Sequence, residues 1–77
     1  MSNKLPVVSG KKLIKLLEKL GFQVVRIKGS HHRLLHPDGR VTTVPVHKNE
    51  DISRGLTHKI ITEDVGISID EYIQLIK

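Results

Sequence analysis

Four of the five histidines in this 77-residue chain fall within residues 28–47, in the run KGSHHRLLHPDGRVTTVPVH. Imidazoles at 31, 32, 36 and 47 have three chemistries open to them: holding a metal ion, assisting a nucleophile, or moving protons. Direction argues against metal. Neighbours on a strand point to opposite faces, so His31 and His32 cannot share one ion, and the spacing matches no zinc-finger pattern. With no cysteine there is no thiolate ligand either, and the expectation is no metal and no cofactor. Nucleophilic hydrolysis fares no better. Ser30 adjoins His31, but no nucleophile-elbow sequence surrounds it.

Proton transfer on RNA needs less equipment. RNA brings its own nucleophile, the 2′-hydroxyl, and an exposed imidazole can move a proton in either direction near neutral pH. Arg26, Lys28 and Arg33 stand close in sequence to His31 and would neutralise a phosphate. Gly29 allows a ligand to approach the backbone, and the Ser30 hydroxyl with nearby N–H groups could hold phosphate. Spacing alone still favours the plainer readings: a His31 that is merely exposed and a Gly29 that merely makes a tight turn.

Positioning these groups falls to a short series of elements. Leu13, Leu16, Leu17 and Leu20 recur at i, i+3, i+4 and i+7 after Ser9, an N-cap type, and before Gly21, which suits a helix end. FQVVRIK (22–28) is β-branched and reads as a strand. HHRLLH and RVTTVPV flank PDG, a turn sequence, and read as a hairpin whose second strand ends at Pro45 or lies at an edge. If His36 opposes Arg40, one face carries His32, Leu34 and His36 beside Thr42, Val44 and Val46. The other carries His31, Arg33 and Leu35 beside Val41, Thr43 and Pro45. The first face is the more apolar and should meet the helices, with its histidines bonded to backbone, leaving His31 outward. A helix between Ser53 and Gly66 carries Leu56, Ile60, Ile61 and Val65, and SIDE (68–71) opens a last one bearing Ile69, Tyr72, Ile73 and Ile76. The expected fold is α+β: α-β-β-β-α with a three-stranded antiparallel sheet, helices on one face and a short C-terminal helix.

The charge is unevenly spread. Residues 1–49 hold ten Lys/Arg against two acids, and residues 50–77 hold three against six. The histidine cluster therefore sits in the basic half, a footprint for a polyanion, nucleic acid first. No apolar run approaches the roughly 20 residues of a membrane span. The N-terminal MSNKLPVVSGKK lacks a secretory stretch, so a cytoplasmic protein with no membrane partner is expected. The length suits one domain, 1–77, with a core over about 9–66 and the last helix over about 69–76.

The ordered pieces, a leucine-rich first helix ending in Gly21-Phe22, then KGSHH, HPDGR, VPVH and a second helix ending near GIS, resemble the HicA toxin family of bacterial type II toxin–antitoxin systems. The resemblance implies a metal-independent endoribonuclease, an mRNA interferase that inhibits translation, with a double-stranded-RNA-binding-domain-like fold. It places the catalytic role on His31, the histidine of GSH, and implies a HicB-type antitoxin that caps the toxin over that residue. His47 would be the histidine of the family's P-x-H, either a phosphate contact or a structural cap. One departure stands out: LTHKIITEDVGIS is about one residue longer before its glycine than the family pattern, which unsettles the register of that helix. Two readings compete with the ribonuclease: a non-catalytic RNA-binding module using the same basic surface, and an interaction domain whose charges only solubilise it.

Overall fold

A computed structural model describes residues 5–77; the first four residues of the N-terminal stretch lie outside it. The order is α1 (Gly10–Lys19), β1 (Gln23–Lys28), β2 (His31–Leu35), β3 (Val41–Pro45), α2 (Arg54–Lys59), a π-helix (Ile60–Val65) and α3 (Ile69–Ile76). The antiparallel sheet runs β1-β2-β3, and β3, which ends at Pro45, is an edge strand. The α-β-β-β-α core with an added helix is the architecture expected from the sequence, and a double-stranded-RNA-binding-like fold is consistent with it. Among the described residues no helix is long and apolar enough to cross a membrane.

Each helical run starts on a serine because the first turn of a helix has N–H groups without intrahelical acceptors. Ser9 Oγ accepts from the Lys12 N–H at 3.1 Å and Ser53 Oγ from the Leu56 N–H at 3.3 Å. Ser68 and Glu71 close a reciprocal box, with bonds of 3.0 and 2.9 Å. Leu13, Ile14, Leu16 and Leu17 of α1 are buried against Leu34 and Val44 of the sheet and Ile60, Ile61 and Val65 of the π-helix. Gly10, a weak helix former, is explained by proximity: a Cβ there would collide with the Pro45 carbonyl, so α1 can sit against the end of β3 only without one. In α3 Tyr72 is the anchor. Its ring is fully buried and its hydroxyl donates to the Pro6 carbonyl at 2.7 Å. Burial, and behind it the charge of Asp51, pushes the pKa of that hydroxyl up, which keeps it a donor. Ile69, Leu75 and Ile76 pack around it, so Leu75 rather than the expected Ile73 faces the core.

The hairpin turn does more than reverse the chain. The His36 N–H donates to the Arg40 carbonyl at 2.9 Å, closing the turn around Pro37, Asp38 and Gly39. The His36 ring then meets the end of α1, with Nε2 at 2.9 Å from the Leu20 carbonyl, while Nδ1 accepts the Asp38 N–H at 3.1 Å. Asp38 accepts from the Arg40 backbone N–H and from its Nε, and Arg40 Nη1 reaches the Val65 carbonyl at the end of the π-helix. Phe22 lies beneath, its ring 5.1 Å from the His36 ring and 5.2 Å from the Arg40 guanidinium carbon. HPDGR thus ties the C-terminal ends of two helices to one turn, using carbonyls that a helix leaves unpaired.

The second helix departs from the continuous α-helix expected between Ser53 and Gly66. From Ile60 it widens to i→i+5 bonding, and the Gly66 N–H reaches the Ile61 carbonyl at 2.9 Å. A π-turn holds one residue more than an α-turn, so the chain from Ile60 to Val65 rises less per residue than the α-helix expected there. The change of pitch buries Ile60, Ile61 and Val65 together.

Replacing His36 with Ala removes a bridge between α1 and the turn and should lower stability by about 1–3 kcal/mol, against about 0.5 or less for His31→Ala, in urea unfolding. The Arg40 backbone N–H first, and then its side chain, hold the Asp38 carboxyl below the usual carboxylate range. A depressed pKa gives stability that is fully present above the ordinary value of about 4 and is lost as pH falls through the lowered one. Wild type should therefore lose more stability than Asp38→Asn between neutral pH and about pH 3, measured by paired urea titrations.

Candidate nucleic-acid interface

The register of the hairpin sorts the histidines. His31 pairs with Pro45, His32 with Val44, Arg33 with Thr43, Leu34 with Thr42 and Leu35 with Val41, as the His36–Arg40 turn requires. Leu34, Thr42 and Val44 are buried toward the helices, so their alternates His31, Arg33 and Leu35 face outward and are exposed. His32 and His36 lie on the inner side with their rings against backbone carbonyls, His32 Nδ1 at 3.3 Å from the Ser30 carbonyl. The sequence distinguished these two from His31 by parity alone.

Strand β1 completes the outer face through an irregularity that the sequence reading missed. Val24 pairs with Leu34, but Arg26 pairs with Arg33 and Lys28 with His31, with a bulge between Val24 and Arg26. Val24, Arg26 and Lys28 have the same parity, so a regular strand would send all three to one face. The extra residue, Val25, reverses the phase, and Val24 packs against the core while Arg26 and Lys28 stand outside. The available signal was the conflict itself: an apolar residue and two cations on one parity of a strand that must serve both core and solvent.

Residues directly opposite on neighbouring strands share a face, with Cβ atoms about 5 Å apart, and rows along a strand repeat about every 7 Å. The outer face therefore carries the row Lys28, His31, Pro45 and, beside it, the row Arg26, Arg33, Thr43. His31 thus has a lysine across from it and two arginines in the adjoining row. Ser30, in the turn before β2, is half-buried, and its carbonyl accepts the Val46 N–H at 2.7 Å. That bond holds the turn against the segment leading to His47.

A groove of about 410 Å³ leads from this face over the free edge of β3. His31, Arg33 and Thr43 line its sheet side, and Leu56, Lys59 and Asp64 its helical side. Asp64 accepts from the Thr42 hydroxyl at 2.9 Å and faces Lys59 Nζ at 3.4 Å. Lys59 and Asp64 are five residues apart, a spacing that does not meet on an α-helix but does across a π-turn. They were absent from the sequence-derived site for that reason. His47 is exposed in an adjoining depression that shares Pro45 and Leu56 with the groove, and its carbonyl accepts the Glu50 N–H at 3.2 Å. Its backbone caps that turn. Among the described residues no group of three or more His, Asp or Glu side chains converges as a metal-binding cluster.

Comparison with known families gives one match. Residues 10–67 fit the family model described as HicA toxin of bacterial toxin-antitoxin, which spans α1 through the end of the π-helix and includes every residue of the basic rows. Helix α3 lies beyond it. No curated protein matches the chain.

The division of the histidines has a chemical test. Diethyl pyrocarbonate should carbethoxylate the exposed His31, His47 and His58 before the backbone-bonded His32 and His36, as followed by peptide mass spectrometry. Early modification of His36 with His31 spared would reverse the assignment of faces.

Proposed function

The chain belongs to the HicA toxin family of bacterial toxin–antitoxin systems, and on that footing we propose that it is a metal-independent endoribonuclease that cleaves mRNA, with His31 moving the proton. The observation that carries this reading is the outer row: an exposed imidazole opposite Lys28 and beside Arg26 and Arg33. His31 takes the proton of the 2′-hydroxyl as that oxygen bonds to phosphorus. The phosphorus–O5′ bond breaks, and the leaving oxygen takes a proton from water. Lys28 and Arg33 stabilise the charge that builds on the phosphate oxygens, with Arg26 and the Ser30 turn holding the flanking backbone. His47, exposed in the adjoining depression, would contact a neighbouring phosphate. The products are a 2′,3′-cyclic phosphate and a 5′-hydroxyl end.

No Phe, Tyr or Trp ring lines the groove for a base to stack on, which supports loose base preference. A HicB-type antitoxin is the partner, seated over His31, and the site of action is the cytoplasm. Exposure of His31 supports this arrangement because a catalytic ring left open to solvent needs an external cover to be silenced.

An RNA-binding module without catalysis would use the same rows, and one experiment separates the two. Purified protein and single-stranded RNA are incubated in EDTA, wild type beside His31→Ala. Cleavage by wild type alone, giving cyclic-phosphate ends and stopping when the scissile nucleotide lacks its 2′-hydroxyl, is the expected result. RNA retarded on a gel but uncut by wild type would demote the protein to the binding module. In either case Arg26→Ala with Arg33→Ala should weaken RNA binding and flatten its dependence on log salt by about 0.7 for each phosphate no longer neutralised, measured by fluorescence anisotropy.

A further inference from the structure

On the other side of the molecule from this chemistry, α1 and the end of α3 enclose a groove of about 470 Å³. Lys11, Lys12, Lys15 and Lys19 of α1 form its wall, and Leu16, Leu75 and Ile76 form its floor. Helical geometry puts the four lysines in an arc of about 100°, with Lys11, Lys15 and Lys19 rising about 6 Å at each step. Like charges at i, i+4 repel and weaken the helix that bears them. The three ion pairs among the described residues involve none of these lysines. The fold therefore carries a concentrated positive stripe that it does not neutralise, beside aliphatic side chains that are only half-buried at Leu75 and Ile76.

We propose that this groove docks an acidic, amphipathic segment of a second polypeptide, with its carboxylates on the lysine wall and its aliphatic side chains on the Leu16–Leu75–Ile76 floor. The two halves of the groove choose the class of partner. RNA would satisfy the lysines, but it has no aliphatic side chains for the floor, and no aromatic residue lines the groove to stack a base. A polypeptide with acids and aliphatics at helical spacing uses both surfaces. The floor depends on α3, which lies outside the span matched by the family model, so the groove is an addition to the shared core. This inference does not rest on the ribonuclease reading.

The test pans the full chain against displayed peptides of about 15 residues, enough for a helix to form. Binders are then measured by anisotropy and mapped on the ¹⁵N-labelled protein. The expected binders combine Asp or Glu with Leu, Ile or Val, and shift amide signals confined to α1 and α3. Charge reversal at Lys15→Glu with Lys19→Glu should weaken them about tenfold or more and the neutral Lys15→Gln with Lys19→Gln by less, while both leave RNA binding unchanged. Circular dichroism confirms that these surface variants fold. Binders indifferent to the reversal, or polyglutamate binding as tightly as the selected peptides, would overturn the proposal. So would loss of RNA binding in the reversed variant, which would make the stripe a nucleic-acid track. These results are independent of whether His31 cuts RNA.

Discussion

Everything on the sheet depends on a parity fixed at one turn. With His36 bonded to Arg40, each residue of β2 and β3 is committed to the helices or to solvent, and a shift of one residue would exchange the two sets. Two features make that commitment firm. Leu34 and Val44 are fully buried, so a slipped hairpin would expose both. The turn is also held from outside, because His36 is bonded to the end of α1 and Arg40 to the end of the π-helix. The same five residues that reverse the chain therefore align the layers. His31 faces outward because His36 faces in, five positions along the same strand direction.

This explains why adjacent histidines have unrelated roles. His32 and His36 satisfy carbonyls left over at a turn and a helix end, which is structural work done by a ring with a nitrogen in the right place. His31 sits among cations on the opposite face. Arg26 and Lys28 come from β1 and Arg33 from β2, so the full positive field around His31 exists only in the paired sheet. Positive charge that is widely spaced along β1 and β2 is concentrated by pairing into two neighbouring rows.

Much of the fold was legible because it follows regular periods. The α1 stripe, the serine caps, the PDG turn and the two faces of the hairpin repeat at 3.6 or 2 residues and could be counted. What escaped were places where the chain breaks its own period or touches something distant. The π-helix and the Val25 bulge each insert one residue, and no local rule says where the surplus will be taken up. The reason for Gly10 at the start of α1, the Pro45 carbonyl, lies thirty-five positions away in sequence. HPDGR was read as a turn, but its side-chain bonds to Leu20 and Val65 are tertiary and leave no periodic trace. The role of His31 came from resemblance and its direction from parity, while its companions Lys59 and Asp64 needed the wider helical pitch.

The bulge at Val25 also bears on how such a surface can be altered. Val25 is 52% exposed, and its side chain contributes little to packing. A survey by substitution would score the position as permissive. Its place in the bulge, and not its being valine, is what lets Val24 and Arg26, two apart in sequence, stand on opposite faces. Loss of one codon there would make Val24 and Arg26 neighbours, and neighbours on a regular strand also face opposite ways, so Val24 would keep to the core and Arg26 and Lys28 to the outer side. The sheet is thus tolerant at this point of a changed letter and of a missing one, and what a deletion would take away is the bend and added twist of β1 rather than the sorting of its side chains.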